Sequence, residues 1–273
     1  MREQMKVHSF PIIGGHTKRV ITVSMLPLLI LVLWGITDSL IARQTFVGPV
    51  EAFSSLGVQL SQPRFYGQIG YTLVLLGASY LLSVVIGAAA GFLLGLNPAL
   101  QRIASLLLYG MYSIPKVTLY PLFLLFFGLG PIGEIAFVFA HGIFPMTVIV
   151  MDATTLVRTR YAKVAVANGA SYRQYISLVV LPSTIPAFTT ALRICFSVTF
   201  LAVIVAELFS SNQGLGAELR KNLTLTRLDN IVGIVIVIAI VAVVLSSLLR
   251  MVEKLVHQHW GSTSSLSADA GGI

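Results

Sequence analysis

Residues 231–249, IVGIVIVIAIVAVVLSSLL, carry no charge at all. An uncharged run of about 18 residues or more is long enough to cross the bilayer core as one helix. In lipid every backbone N–H and C=O must be satisfied inside the protein, so such a run has few other folds open to it. The chain repeats the pattern, with apolar runs at about 20–42, 68–96, 103–128, 132–154, 184–209 and 229–252. Only 10% of the 273 residues are charged and mean hydropathy is +0.89. Soluble domains carry about a quarter charged residues, so a single water-soluble core is excluded. The expected fold class is an all-α membrane protein with six transmembrane helices.

The run at 20–42 is too long for the core of a cleaved signal peptide, so it is expected to stay as the first span. The more polar segment after it holds GPVEAFSSLGVQL, expected to be helical with Pro49 near its start. The second span is rich in small residues. Gly77, Gly87, Gly91 and Gly95 recur at helical spacings, and Gly87/Gly91 form a G-x-x-x-G. Small residues let transmembrane backbones approach closely, so this face is expected to pack on another helix. The next apolar region is broken by SIPK (113–116) and by GLGPIGE (128–134). Pro115 must free a backbone carbonyl, which predicts a kink in the third span.

The net charge of +8 has a topological explanation. With both termini cytoplasmic, 11 of the 18 Lys and Arg residues fall on inside segments, 5 fall outside, and Lys116 and Arg193 fall within spans. That asymmetry follows the positive-inside rule. No basic patch interleaved with aromatics points to nucleic acid. Cys195 stands alone in an apolar run and the five histidines are scattered, so no disulfide or metal site is expected. No phosphate-cradling G-x-x-x-x-G-K-[ST], H-E-x-x-H or G-x-S-x-G is present, and no cofactor or enzymatic activity is expected on this chain.

Ionisable groups inside a membrane are costly and commonly face a bundle interior or a water-filled path. Lys116, Arg193 and Glu207 are therefore candidate lining residues of a translocation path, with Glu134 as a further intramembrane group. Arg193 and Glu207 are fourteen residues apart on one expected helix, about 21 Å, and cannot pair there. Snorkelling or an interhelical ion pair is the alternative for Lys116 and Arg193, and a helix end at the outer interface for Glu207.

The inside segment YAKVAVANGASYRQYISLVVLPSTIP (161–186) is amphipathic when read as a helix, with a small-residue centre. Gly169 interrupts it, which suggests a turn between two short helices. An interfacial helix on the inner leaflet is the alternative.

The spacing K-V-A-x-x-x-G-x9-V-V-L-P (Lys163, Val164, Ala165, Gly169, Val179 to Pro182) resembles the cytoplasmic loop of ABC importer permeases, usually E-A-A-x-x-x-G-x9-I-x-L-P. The second Ala, the Gly and the Leu-Pro fall in register; Lys163 stands where Glu is usual and Val164 where the first Ala is usual. The segments LLYGMYSIPKVTLYPLFLLFFGLGPIGEIAFVF and ALRICFSVTFLAVIVAELFSSNQGLG, together with TFVGPVEAFSSL, are similar to permeases of the nitrate, sulfonate, taurine, bicarbonate and thiamine-precursor importers. Leu75 departs from them, standing where an Arg is common.

The resemblance implies a permease domain over 20–252, cytoplasmic tails at 1–19 and 253–273, and a coupling helix in the loop 155–183 between spans four and five. Tyr161, Lys163, Val164, Ala165, Ala167, Gly169, Ala170, Tyr172, Leu181 and Pro182 would carry contact with a separate ATPase subunit, which would hold ATP and Mg. It further implies a homodimer in a bacterial inner membrane, served by a periplasmic or lipid-anchored substrate-binding protein. The expected activity is ATP-driven import of a small anionic solute by alternating access. The competing class, a stand-alone secondary transporter or channel, more often shows inverted repeats, and no internal repeat is visible.

Overall fold

The structure, a computed structural model, describes residues 29–40 and 47–260. The expected N-terminal tail, both ends of the first span and the residues after 260 lie outside the described residues. Among the described residues the chain runs through α1 (Leu29–Leu40), α2 (Pro49–Leu60), α3 (Pro63–Leu96) and α4 (Pro98–Ser113). A 3-10 turn (Lys116–Leu119) leads into α5 (Tyr120–Phe127), and α6 follows (Pro131–Ala167). A short α7 (Tyr172–Gln174) passes through a π-helical stretch (Tyr175–Val180) into α8 (Leu181–Ser210), then α9 (Leu215–Thr224) and α10 (Leu228–Trp260).

Helix starts are written into the sequence. Pro stands in the first turn of α2, α3, α4 and α6, where its missing N–H is an orphan donor in any case. Asn97 adds a side-chain cap to α4, its Oδ1 accepting from the N–H groups of Ala99 (2.9 Å) and Leu100 (3.2 Å).

Among the described residues, four helical segments are long and apolar enough to cross a membrane: α3, α6, the continuous Tyr172–Ser210 segment and α10. A fifth is obtained by counting α4 with the Lys116–Phe127 pair, two pieces bent by 83°. The break is sharper than the kink expected at Pro115. Ile114 is extended (φ −70°, ψ 132°), because proline disfavours the helical region for the residue before it.

The centre of the molecule is α3 against α6, with α8 closing the third side. Gly87, Gly91 and Gly95 form one stripe on α3 that lies directly on the α6 backbone. A Cβ at Gly91 would come within 2.5 Å of the Thr147 carbonyl oxygen, and one at Gly95 within 2.7 Å of that of Met151. Gly77 has open space around it. At 100° per residue it shares the azimuth of Gly95, 18 residues on, so it lies on the stripe's face but beyond the stretch of close contact. Phe137, Val138, Phe196, Phe200 and Val203 fill the half of this core nearer Glu134. Met146, Val150, Ala191 and Cys195 fill the half towards the C-terminal end of α6, where the lone cysteine is a buried packing group. α10 lies on α8 and α2, and Ser55 Oγ donates to Asn230 Oδ1 at 2.8 Å across that contact.

Candidate functional site

The helix α6 does not stop near residue 154, where its hydropathy falls. Residues 155–167, TLVRTRYAKVAVA, contain neither Gly nor Pro, so nothing in the sequence ends the helix there. Tyr161, Lys163, Val164, Ala165 and Ala167 therefore sit on its last turns rather than on a separate short helix. The end comes at Gly169 in the left-handed conformation (φ +67°). Its N–H reaches the Val166 carbonyl and that of Ala170 the Ala165 carbonyl, both at 3.0 Å. This is the paired closure of a Schellman turn, for which Gly is favoured.

The chain restarts at once. Ser171 Oγ accepts from the Gln174 N–H (3.3 Å), and Gln174 Oε1 accepts from the Ser171 N–H (2.9 Å). This reciprocal pair satisfies two orphan donors. The Leu-Pro of the motif has a structural consequence too. The Leu181 N–H bonds five residues back to Ile176, the wide register of a π turn, just ahead of Pro182, which has no N–H to give. The result is a tight corner joining two long helices. Tyr161, Lys163, Val164, Ala167, Gly169, Tyr172 and Leu181 are exposed on it, while Ala165, Ala170 and Pro182 are half-buried.

The structure does not bring the candidate path residues together. Lys116 lies at the break between α4 and α5. Its Nζ donates to the Tyr112 carbonyl (3.2 Å) and stands 5.1 Å and 5.0 Å from the ring centres of Tyr112 and Phe144. No acidic partner reaches it among the described residues. Arg193 is held in an ion pair, Nε to Glu253 Oε2 at 3.0 Å, and Thr190 donates to the other Glu253 oxygen at 3.1 Å. Glu207 is completely buried. It accepts from Thr72 Oγ1 (3.0 Å) and the Gly216 N–H (2.9 Å), while Thr72 accepts from the Leu215 N–H (2.9 Å). Glu207 thus ties α8 to α3 and to the start of α9. Glu134, also buried, accepts from the Tyr71 hydroxyl at 3.0 Å.

Two groups escaped the sequence reading. Asp152 falls inside an apolar run and is exposed, accepting from the Tyr109 hydroxyl at 2.7 Å; a carboxylate at that place was the available signal. Glu253 lies past the hydropathy limit of the last span, but α10 continues to Trp260 and brings it to Arg193.

The family described as binding-protein-dependent transport system inner membrane component matches residues 83–261. The chain belongs to that family. The formylaminopyrimidine transport permease protein ThiX of Halalkalibacterium halodurans is 28% identical over 72% of this chain and 79% of its own length. The taurine transport system permease protein TauC of Escherichia coli is 22% identical, covering 86% and 87%. A chain of the MetNI methionine ABC transporter, solved in an inward-facing conformation, superposes with a TM-score of 0.59 at 19% identity, covering 72% of this chain and 98% of that one. It shows the fold alone. As a family member with several membrane-crossing helices, the protein is a multi-pass membrane protein of the ABC permease type. Its matched relatives are transport permeases and not enzymes.

Proposed function

We propose that this chain is the membrane-spanning subunit of an ATP-driven importer that moves a small anionic solute across a bacterial inner membrane by alternating access. It would work as a homodimer, with both termini cytoplasmic and six spans per protomer. A periplasmic or lipid-anchored binding protein would deliver the solute. ATP and Mg would be held by separate ATPase subunits, since the sequence has no phosphate-cradling loop.

The observation that carries the proposal is the corner at Ala165–Ala170. It is the coupling segment of this reading, exposed at one end of the molecule and continuous with both α6 and α8. Small side chains at Ala165, Ala167, Gly169 and Ala170 let a partner's backbone come close. Tyr161, Val164 and Tyr172 add apolar contact area of the kind that marks interaction sites. When ATP draws two ATPases together, each corner would move with its ATPase and carry α6 and α8.

Lys116 is the residue we place on the solute path. It is a half-buried cation without an acidic partner among the described residues, at the break of a discontinuous span, which is where transporters commonly bind solute. A cation there suits an anion. Arg193 and Glu207 have their charges met by Glu253 and by Thr72 with the Gly216 N–H, so their role in this reading is to hold helices together.

The test is co-purification and flux. The tagged chain is expected to retain an ATPase subunit, and Ala165→Arg at the corner to release it. Solute flux through the chain alone, independent of ATP, would overturn the proposal in favour of a stand-alone transporter. Uptake of labelled sulfonate, nitrate and bicarbonate into proteoliposomes then sorts the solute.

A further inference from the structure

We infer that the corner end of this subunit carries a specific site for the headgroup of an anionic phospholipid. A cavity of about 840 Å³ opens between the α3–α4 turn, the last turns of α6 and the pair Tyr172 and Tyr175. Its cations come from Arg102 on α4 and from Arg158 and Lys163 on α6, and no acidic residue lines it. The rest of the wall is largely apolar, with Leu96, Pro98, Ala162 and Val166.

Two polar groups here have no partner. Arg158 Nε and Tyr175 Oη are both buried and unpaired, and Tyr175 is only 7% exposed. Buried donors are almost always satisfied, so these call for an acceptor the described chain does not supply. A phosphodiester brings a negative charge and several acceptor oxygens in one compact group. Its acyl chains would cover the apolar wall, which free phosphate would leave bare. Basic pockets between transmembrane helices on the cytoplasmic side favour such headgroups. The cavity borders the proposed ATPase seat, sharing Lys163, Ala165, Ala170 and Tyr172 with it, while Tyr161, Val164, Ala167 and Gly169 do not line it. The assignment to the cytoplasmic leaflet rests on the orientation proposed above, whereas the binding chemistry does not.

The test is native mass spectrometry of the full chain in detergent, titrated with phosphatidylglycerol, with phosphatidylcholine of the same acyl chains, and with inorganic phosphate. One phosphatidylglycerol per subunit is expected to be retained. Its preference over phosphatidylcholine is expected to be about tenfold or more, as two or three nearby cations would give. R102Q/R158Q is expected to lose that preference while its helix content and lipid-free melting temperature stay unchanged. If that variant does not fold, Lys163→Gln alone is expected to lower the preference by several-fold.

Equal retention of the two lipids overturns the inference, as does an unchanged preference in the variants. Displacement of the lipid by inorganic phosphate would make the cavity a free-anion site. Loss of a co-purifying ATPase with lipid preference intact would make it a protein seat. Reactivity of Lys163→Cys in sealed vesicles of known orientation tests the topology separately. If the corner proves external, the lipid preference is still expected.

Discussion

The α3–α6–α8 body and the α4–α5 arm are built from similarly apolar sequence and are held in opposite ways. In the body, α3 meets α6 backbone to backbone, and Phe137, Met146 and Met151 are fully enclosed. Polar ties run between its helices as well, with Ser83 Oγ donating to the Phe139 carbonyl at 3.2 Å and Tyr80 to that of Leu192 at 3.1 Å. The arm does far less of this, tied to the body by Tyr109 donating to Asp152 at 2.7 Å and by the buried Tyr120 donating to the Ala206 carbonyl at 3.1 Å. α4 buries none of its residues, Leu106 is 79% exposed, Leu125 on α5 is 78% exposed, and the two helices part at 83°. In water such a surface would be a defect; in a membrane it is a face to be completed by lipid or by a second copy. The difference teaches where the chain is finished by itself and where it is finished by its surroundings. The solute-path candidate, Lys116, belongs to the second kind of region.

The comparison breaks most visibly at glycine. Gly91→Leu is expected to cost about 3 kcal/mol or more, because overpacking a closed helix contact forces backbone shifts. Gly110→Leu on α4, with open space around it, is expected to leave the melting temperature in detergent almost unchanged. Should both variants behave alike, the distinction between body and arm is wrong. Next in size is Glu207→Ala, which strands the Gly216 N–H in a buried site, leaves Thr72 only the Gln68 carbonyl as acceptor, and is expected to cost about 1–3 kcal/mol. Thermal unfolding followed by circular dichroism reads both effects.

Gly169→Ala places a Cβ in the left-handed region and is expected to cost about 1 kcal/mol locally. Its larger effect is expected in function, as reduced retention of the ATPase on a tagged column with the melting temperature nearly constant. Lys116→Ala is expected to move stability by about 0.5 kcal/mol or less, yet to lower anion uptake in proteoliposomes. Uptake equal to that of the parent would remove Lys116 from the path. The smallest effect is expected for Leu106→Ala, near zero in dilute detergent, where lipid-like molecules cover either side chain.

How much of this was legible in the sequence differs residue by residue. The glycine stripe announced a close helix contact but not its partner, since spacing fixes the face of one helix and says nothing of what faces it. Gly77 shares the stripe's face yet has open space around it, so spacing did not say where along α3 the contact ends. Pro115 announced a break, while its 83° size depended on Ile114 being driven extended. Hydropathy closed α6 too early because it tracks the membrane and not the helix; residues 155–167 are polar enough to leave lipid yet contain nothing that stops helical hydrogen bonding. The same blindness hid Glu253 and so the partner of Arg193. The corner was the most legible part of the candidate site. Gly169 and the Leu-Pro are residues whose backbone chemistry dictates the geometry, so their spacing carries structure directly. The lone cations are the reverse case, since partners from distant helices decide whether such a charge is free.

The length of α6 has a mechanical consequence. Its 37 residues make a rod of about 55 Å, far longer than the ~30 Å hydrocarbon core. The tight crossing with α3 falls near its middle, at Thr147 to Met151. A rod gripped at its centre is a lever, and the glycine stripe, just past the internal Pro145, is its fulcrum. A tilt of about 10° would swing the corner by roughly 5 Å and the Glu134 end by a similar distance the opposite way. Opening at one end and closing at the other would then be a single displacement, with its throw set by a contact that has no room for even one methyl group.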